Sequence, residues 1–469
     1  MSGNDASDGL ERRLGLVSVT SIVIANMIGA GIFTTSGLLL EGLGSPGVMV
    51  ALWLVGGVIA LCGALCYGEL GAAIPRAGGE YTFLSRLFHP LLGFLTGWVS
   101  FFAGFSAPIA ASAIGFAEYL TRAFPALLQP GLAGVAGEAA SFKKAYAILA
   151  IAAFAALHAR GVELGAKVQN LLTGLKVSLI LGLVAAGFGW GEGTLSHFSG
   201  GEGFVFDFGG WKRMGLALMW IMFAYSGWNA AAYIGSEIKD PSKNLPRSLL
   251  AGTVVVIVLY FALNVLYVWA VPPAEMGGIV SIGGLTVARL FGRPLEASVS
   301  VLIAFALFSS LSAFIILGPR VYFSMARDGA FFGFAGRIHP RFGVPSWSIL
   351  LQGAIAAVMV LLGSFDQILT YMGFSLGIFP ILAVCGVFRL RHEGRSVFRM
   401  PGYPVVPAAY ILSGVAILVL GYLERPAESS IAMLTVAAGV PAYAAFRSSR
   451  RREAAAAQAR SVPGGAAME

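Results

Sequence analysis

The sequence predicts an all-α polytopic membrane protein with about twelve transmembrane helices, because a hydrocarbon core about 30 Å thick asks for about 20 apolar residues per crossing. Three observations carry this fold class. Of 469 residues, 57% are hydrophobic and only 12% are charged, against about 25% charged in a soluble domain. Mean hydropathy is +0.81. The 62 glycines lie inside that apolar background, where membrane helices tolerate them. This balance all but excludes a soluble enzyme.

The elements follow in order. A polar segment, MSGNDASDGLERR (1–13), is expected as a cytoplasmic tail, and the apolar run after it is too long for a secretory signal, so it stays as the first span. The expected spans are 14–40, 46–73, 88–121, 144–160, 165–189, 211–236, 246–271, 296–326, 345–363, 365–389, 404–423 and 428–446. SIGGLTVARLFG at 281–292 is a candidate interfacial helix ahead of the eighth. Residues 448–469 form a second expected cytoplasmic tail. With twelve spans both termini share one side. The loops on that side hold 22 of the 31 Lys and Arg against 8 opposite, so the termini are expected in the cytoplasm. The one basic residue in neither set is Lys176, in mid-membrane.

The net charge of +8 comes in short clusters between apolar stretches, not in an aromatic-interleaved stripe, which argues against nucleic acid. The three cysteines, Cys62, Cys66 and Cys385, all fall in apolar segments and cannot build a disulfide framework or a zinc quartet. No metal and no cofactor is expected.

Two spans carry interruptions at their midpoints. SIVIANMIGAGIFTTSG places Gly29, Ala30 and Gly31 where a continuous helix gains nothing from glycine, each costing about 1 kcal/mol against alanine. FAYSGWN places Ser226, Gly227 and Asn229 likewise in span six. Glycine-interrupted segments at matching positions of two halves point to a transporter's binding site, with spans 1–5 and 6–10 as the repeats. An unwound stretch exposes N–H groups at the start of its second half-helix and C=O groups at the end of its first. The first suits a carboxylate and the second an ammonium. A zwitterionic α-amino acid fits both.

Four stretches resemble the amino acid–polyamine–organocation superfamily, and within it the L-type amino acid transporters and their bacterial relatives: NMIGAGIF (26–33), YGELGAAIPRAGGEYTFL (67–84), FAYSGWNAAAYIGSEIKDPSKNLPR (223–247) and PRVYFSMARDG (319–329). The resemblance implies a LeuT-type five-plus-five inverted repeat with discontinuous helices 1 and 6. Its halves would be 14–190 and 191–400, with two further helices in 401–447. It implies that the substrate carboxylate binds backbone amides of Gly29, Ala30 and Gly31, and that the ammonium binds carbonyls near Met27, Phe223, Ala224 and Ser226, beside Gly227. Phe223 matches a gating aromatic, and Asn229 a pocket residue. Ala30 departs from the serine many relatives carry, which removes one hydroxyl and leaves the backbone donors.

Lys176 is about eleven residues from either end of its span, about 16 Å at 1.5 Å per residue, and placing a lysine at the bilayer centre costs about 2.5–3.5 kcal/mol. With Asn170 and Thr173 before it, it resembles the family pattern in which a span-five lysine takes the place of sodium. There it would bridge span one and the serines of span eight, Ser309, Ser310 and Ser312. Sodium-independent transport is therefore expected, as exchanger or proton symporter. Glu69, Arg76 and Glu80 flank the joint after span two and are expected to form an inner gate by pairing with Lys239, Lys243 or Arg247. The five histidines all fall at expected ends or loops.

No Asp, Glu or Arg lies at the midpoint of spans 1, 3, 6, 8 or 10, so a charged substrate side chain would be unpaired at a high cost. A neutral amino acid is favoured. Glu118, near the outer end of span three, keeps cationic amino acids or polyamines open as an alternative, and a non-transporting amino-acid sensor is another. No HExxH, GxSxG or metal spacing points to an enzyme. In animal relatives a cysteine between spans three and four joins an accessory glycoprotein. The loop from Arg122 to Lys143 has none, so no disulfide-linked heavy subunit is expected, and a bacterial inner-membrane protein acting alone or as a homo-oligomer is the simpler expectation.

Overall fold

A computed structural model describes residues 12–128, 139–160, 163–327 and 329–461, with side chains except those of 163–173, 324 and 449–461. The side chains of Asn170 and Thr173, most of the expected N-terminal tail and residues 462–469 of the expected C-terminal tail lie outside what is described. The chain is an all-α polytopic membrane protein. Among the described residues it has no strand, only isolated bridges between Leu14 and Ile238 and between Ala77 and Ile234.

Span one is three helices, α1 (Leu16–Met27), α2 (Ala30–Thr34) and α3 (Ser36–Leu43). Span two, α4 (Pro46–Ala73), begins with proline, which is tolerated there because the first-turn N–H has no intrahelical partner. A short α5 (Gly79–Leu87) leads to span three, formed by α6 (Pro90–Val99), a π-helical stretch Ser100–Ser106, and α7 (Ala107–Ala123). Apolar patterning gave no sign of that wider turn. Its cause is Pro108, which lacks an N–H and crowds the carbonyl four residues before it.

Spans four to six are α8 (Ala139–Ala159), α9 (Glu163–Trp190) and the pair α10 (Phe208–Ala224) and α11 (Ala230–Tyr233). Span seven is α12 (Pro241–Ala270). A turn α13 (Pro273–Met276) and a separate α14 (Ile282–Phe291) precede span eight, α15 (Arg293–Arg327). The last four spans are α16 (Ser346–Leu362), α17 (Phe365–His392), α18 (Val405–Glu424) and α19 (Pro426–Ser461). α19 continues well past 446, so much of the segment expected as a tail is helical.

Among the described residues, nine helices are long and apolar enough to cross a membrane. The other expected spans include broken α10 and α16, each of 17 residues, about 25 Å at 1.5 Å per residue. Outward faces carry bare apolar side chains such as Leu149, Val258, Leu350, Val358 and Leu434, as a lipid-solvated protein requires.

Inside, α4 packs along α12, α7 along α15, and α8 along α16. Spans two, three and four thus each pair with the span five places later. The broken spans one and six are held within this frame. α1 lies against α12 and α11, and α2 against α10.

Candidate functional site

The chain leaves the helical path in span one at Ile28, which is extended (φ −73°, ψ 95°), and at Gly29 (φ −128°, ψ −159°). The break is thus Ile28–Gly29, and Ala30 and Gly31 already open the next helix, so the break comes one residue earlier than the glycine pattern suggested. Ile28 still donates its N–H to the Ile24 carbonyl, which closes α1. No side chain caps the start of α2. Thr35 is helical and joins α2 to α3, its N–H bonded to the Gly31 carbonyl at 3.0 Å.

Span six breaks over Tyr225–Asn229. Gly227 has φ +100°, a left-handed conformation that L side chains rarely take. The two breaks meet because of their glycines. A Cβ on Gly31 would stand 2.5 Å from Cα and Cβ of Ala224, and one on Gly227 would stand 2.8 Å from the carbonyl of Asn26. Met27, Ala30, Gly31, Phe223, Ala224 and Gly227 are therefore brought together, while Ser226 is bound back to the Phe223 carbonyl through its own N–H at 2.8 Å.

Tyr260 of α12 closes this junction, and sequence reading missed it. Its buried hydroxyl lies 2.6 Å from the Met27 carbonyl and 3.3 Å from the Ala224 carbonyl, the last residues of the two first half-helices. Behind it, Asn264 donates to the Tyr260 carbonyl at 2.8 Å and its Oδ1 accepts from Ser36 at 2.6 Å. This chain of buried polar groups ties α12 to both sides of the span-one break. Its signal in the sequence was an asparagine in an otherwise apolar span.

Gly29 faces span eight. An added Cβ would be 3.7 Å from Oγ of Ser310, a buried hydroxyl with no hydrogen-bond partner among the described residues. Ser309 is buried beside it. Lys176 is 3% exposed on α9, which packs along α15 and α12. His158 is not simply a span-end residue. It is buried and lies 2.9 Å from Oγ of Ser312.

The expected pairing of Glu69 and Glu80 with Lys239, Lys243 or Arg247 is not what the structure has. Glu69 is fully buried and held by Arg391 of α17, through Nε and Nη2 at 2.7 Å each. Ser396 (2.7 Å) and the Met400 N–H (3.0 Å) complete its shell. A planar guanidinium fork matches two carboxylate oxygens as a lysine cannot, and α17 lies directly against α4. Glu80, near the start of α5, accepts from Tyr67 at 2.8 Å and from Asn229 Nδ2 at 2.5 Å. Asn229 is thus engaged with Glu80, and Arg76 lies in the joint before it, whose Gly78 N–H bonds to the Tyr233 carbonyl at 3.2 Å. Among the described residues no cluster of His, Cys, Asp or Glu is arranged to hold a metal.

Chemically, the junction offers backbone groups rather than reactive side chains. It brings together the carbonyl ends of two first half-helices, both facing the Tyr260 hydroxyl, and the uncapped start of the next helix in span one.

The amino acid permease family model matches residues 14–440. The chain is 28% identical over 446 residues to Asc-type amino acid transporter 1 of Mus musculus, covering 92% of this chain and 81% of that protein. It is 28% identical over 445 residues to the serine/threonine exchanger SteT of Bacillus subtilis (strain 168), covering 93% and 97%. It is 27% identical over 443 residues to the human cystine/glutamate transporter, covering 93% and 85%. With a match over nearly its whole length, on a frame of apolar helices with two broken spans in contact, this chain belongs to the amino acid permease family.

Proposed function

We propose that the protein is a secondary carrier that exchanges neutral amino acids across the plasma membrane, independently of sodium, by alternating access. The observation that carries this reading is the junction itself: the breaks of spans one and six meet at Gly31–Ala224 and Gly227–Asn26, with the Met27 and Ala224 carbonyls turned to one hydroxyl. An α-ammonium takes the carbonyl side and an α-carboxylate the amides of Gly29, Ala30 and Gly31, so the common part of every amino acid is read by backbone. The pairing of spans two, three and four with seven, eight and nine supports a five-plus-five inverted repeat, in which one bundle rocks against the other.

Neutral substrates are favoured because Glu118, the carboxylate that kept cationic substrates open, is occupied by Lys143 at 2.8 Å. Lys176, buried on α9 against α15, supports the sodium-independent reading, in which its ammonium takes the part of a sodium ion. Both termini are assigned to the cytoplasm by the basic loops. No disulfide-linked subunit is expected, since the three cysteines, Cys62, Cys66 and Cys385, all lie within α4 and α17. Two relatives are named for exchange or for a neutral cargo, the serine/threonine exchanger SteT and large neutral amino acids transporter small subunit 2, which favours exchange over net uptake.

The test is counterflow in proteoliposomes. Vesicles preloaded with unlabelled L-serine, L-alanine or L-leucine should take up the labelled amino acid, while empty vesicles should not, and replacing sodium with choline should change nothing. Binding without flux would identify a sensor, and preference for arginine or a polyamine would overturn the neutral assignment.

A further inference from the structure

Two carboxylates are buried near the joint after span two, and they are satisfied very differently. Glu69 has both oxygens saturated by a guanidinium, a hydroxyl and a backbone N–H. Glu80 is equally withdrawn, 3% exposed, yet its two bonds both fall on Oε1, and Oε2 is buried with no hydrogen-bond partner. None of the ion pairs among the described residues includes Glu80. An ionised carboxylate with one bare oxygen and no counter-cation is costly in such a place.

The groups facing Glu80 can be taken element by element. From α4 come Tyr67, bonded to it, and Glu69, already neutralised by Arg391. From the span-six break come Asn229 and, 3.4 Å from the same amide, the Tyr233 hydroxyl. From α18, Tyr410 stacks edge-on against Trp228. From α17, Arg391 is spent on Glu69 and Arg389 on the Leu87 carbonyl at the far end of α5. α6 carries no charged side chain, and His89 is its cap. Arg76 precedes α5, and Arg86 is in its last turn.

We propose that Glu80 is the proton-binding group of the inner closure, and that its protonation releases Asn229 and Tyr67 and so frees the second half of span six from α5. This rests on the reading of the chain as a carrier. The step is simple to balance. One proton from cytoplasmic water adds to the carboxylate when α5 and α11 part, and the same proton returns to that water when they close. The acid accepts hydrogen bonds far less strongly than the carboxylate, so the bonds from Asn229 and Tyr67 weaken. By linkage, whatever opens the closure must raise proton affinity at Glu80, and whatever protonates Glu80 must favour opening. Asn229 is two residues beyond Gly227, which rests on the end of α1, so the carboxyl is connected to the substrate junction through one amide side chain.

The test is counterflow of labelled L-serine, L-alanine and L-leucine in proteoliposomes whose internal and external pH are kept equal and varied together between about pH 4 and pH 7. Wild type should speed up on acidification by about fivefold or more. Glu80→Gln keeps the shape and an acceptor for both donors but cannot titrate, and its profile should be flat. Glu80→Asp should keep a pH dependence. A Glu80→Gln profile parallel to wild type, slower or not, overturns the proposal and leaves a structural hydrogen bond. Absence of counterflow in wild type at every pH would instead overturn the carrier reading itself.

Discussion

Replacing Gly31 with alanine should break the junction, while the same change at Gly29 should not. A Cβ on Gly31 would lie 2.5 Å from both Cα and Cβ of Ala224, whereas packed carbons rest about 3.5–4.0 Å apart. Spans one and six would have to separate by about 1 Å. One of the atoms struck is backbone, so no rotamer change absorbs the clash, and overpacking of this kind costs about 1–3 kcal/mol. At about 1.4 kcal/mol per tenfold, the closely packed state loses roughly 5- to 150-fold in population. At Gly29 the nearest foreign atom is Ser310 Oγ at 3.7 Å, ordinary contact, and its backbone is open to alanine. Purified Gly31→Ala should melt at lower temperature and lose most of its counterflow. Gly29→Ala should melt like wild type and change only the apparent KM, because the methyl enters the space in front of Ser310. Equal stability loss in the two variants would refute the argument, since only Gly31 has no room. Full counterflow by Gly31→Ala would refute it more directly.

Gly227→Ala adds a left-handed penalty of about 1–2 kcal/mol to a 2.8 Å approach to Asn26, and should be less stable than Gly31→Ala in the same melting assay. Tyr260→Phe strips the hydroxyl from two buried carbonyls and leaves them unpaired at about 1–3 kcal/mol; melting temperature should fall, and added substrate should recover more of it than in wild type. Lys176→Met fills similar volume without the charge, so melting should hold or rise while counterflow falls; unchanged counterflow would remove Lys176 from the coupling machinery. Glu69→Gln leaves Arg391 with its fork half answered, a loss of about 3 kcal/mol for a pair with one fully buried partner. Limited proteolysis should then cut between Glu393 and Met400, where wild type resists.

The spans were legible because each needs only local composition: α4 begins and ends at the limits its apolar run dictates. The breaks were legible because glycine is costly in a helix and occurs at both midpoints. Their positions were not fully legible, since the residue that leaves the helix in span one is Ile28, and nothing about an isoleucine announces it. The expected gate pairings failed for a different reason. Arg391 is 322 positions from Glu69, and a sequence ranks Lys239 or Arg247 as highly until α17 is known to lie on α4. Tyr260 was hidden for the same cause: an aromatic in an apolar helix reads as packing until the helix is placed against two open helix ends.

These differences have one physical origin. Where the protein meets lipid, its chemistry is a property of single segments, and composition suffices. At the proposed substrate site the groups that matter are backbone amides and carbonyls, freed by Gly29 and Gly227 and brought within reach by Gly31. Backbone groups have no residue identity, so the side chain that reveals the site is the one that answers them, Tyr260 on the Met27 and Ala224 carbonyls. On the proposed reading, the backbone holds the common α-amino acid head and cargo preference falls to the side chains that surround Phe223 and Ser310. Variants there should therefore change which amino acid is exchanged, whereas variants at Gly31, Gly227 or Tyr260 should affect every amino acid alike, and a panel of labelled substrates distinguishes the two classes.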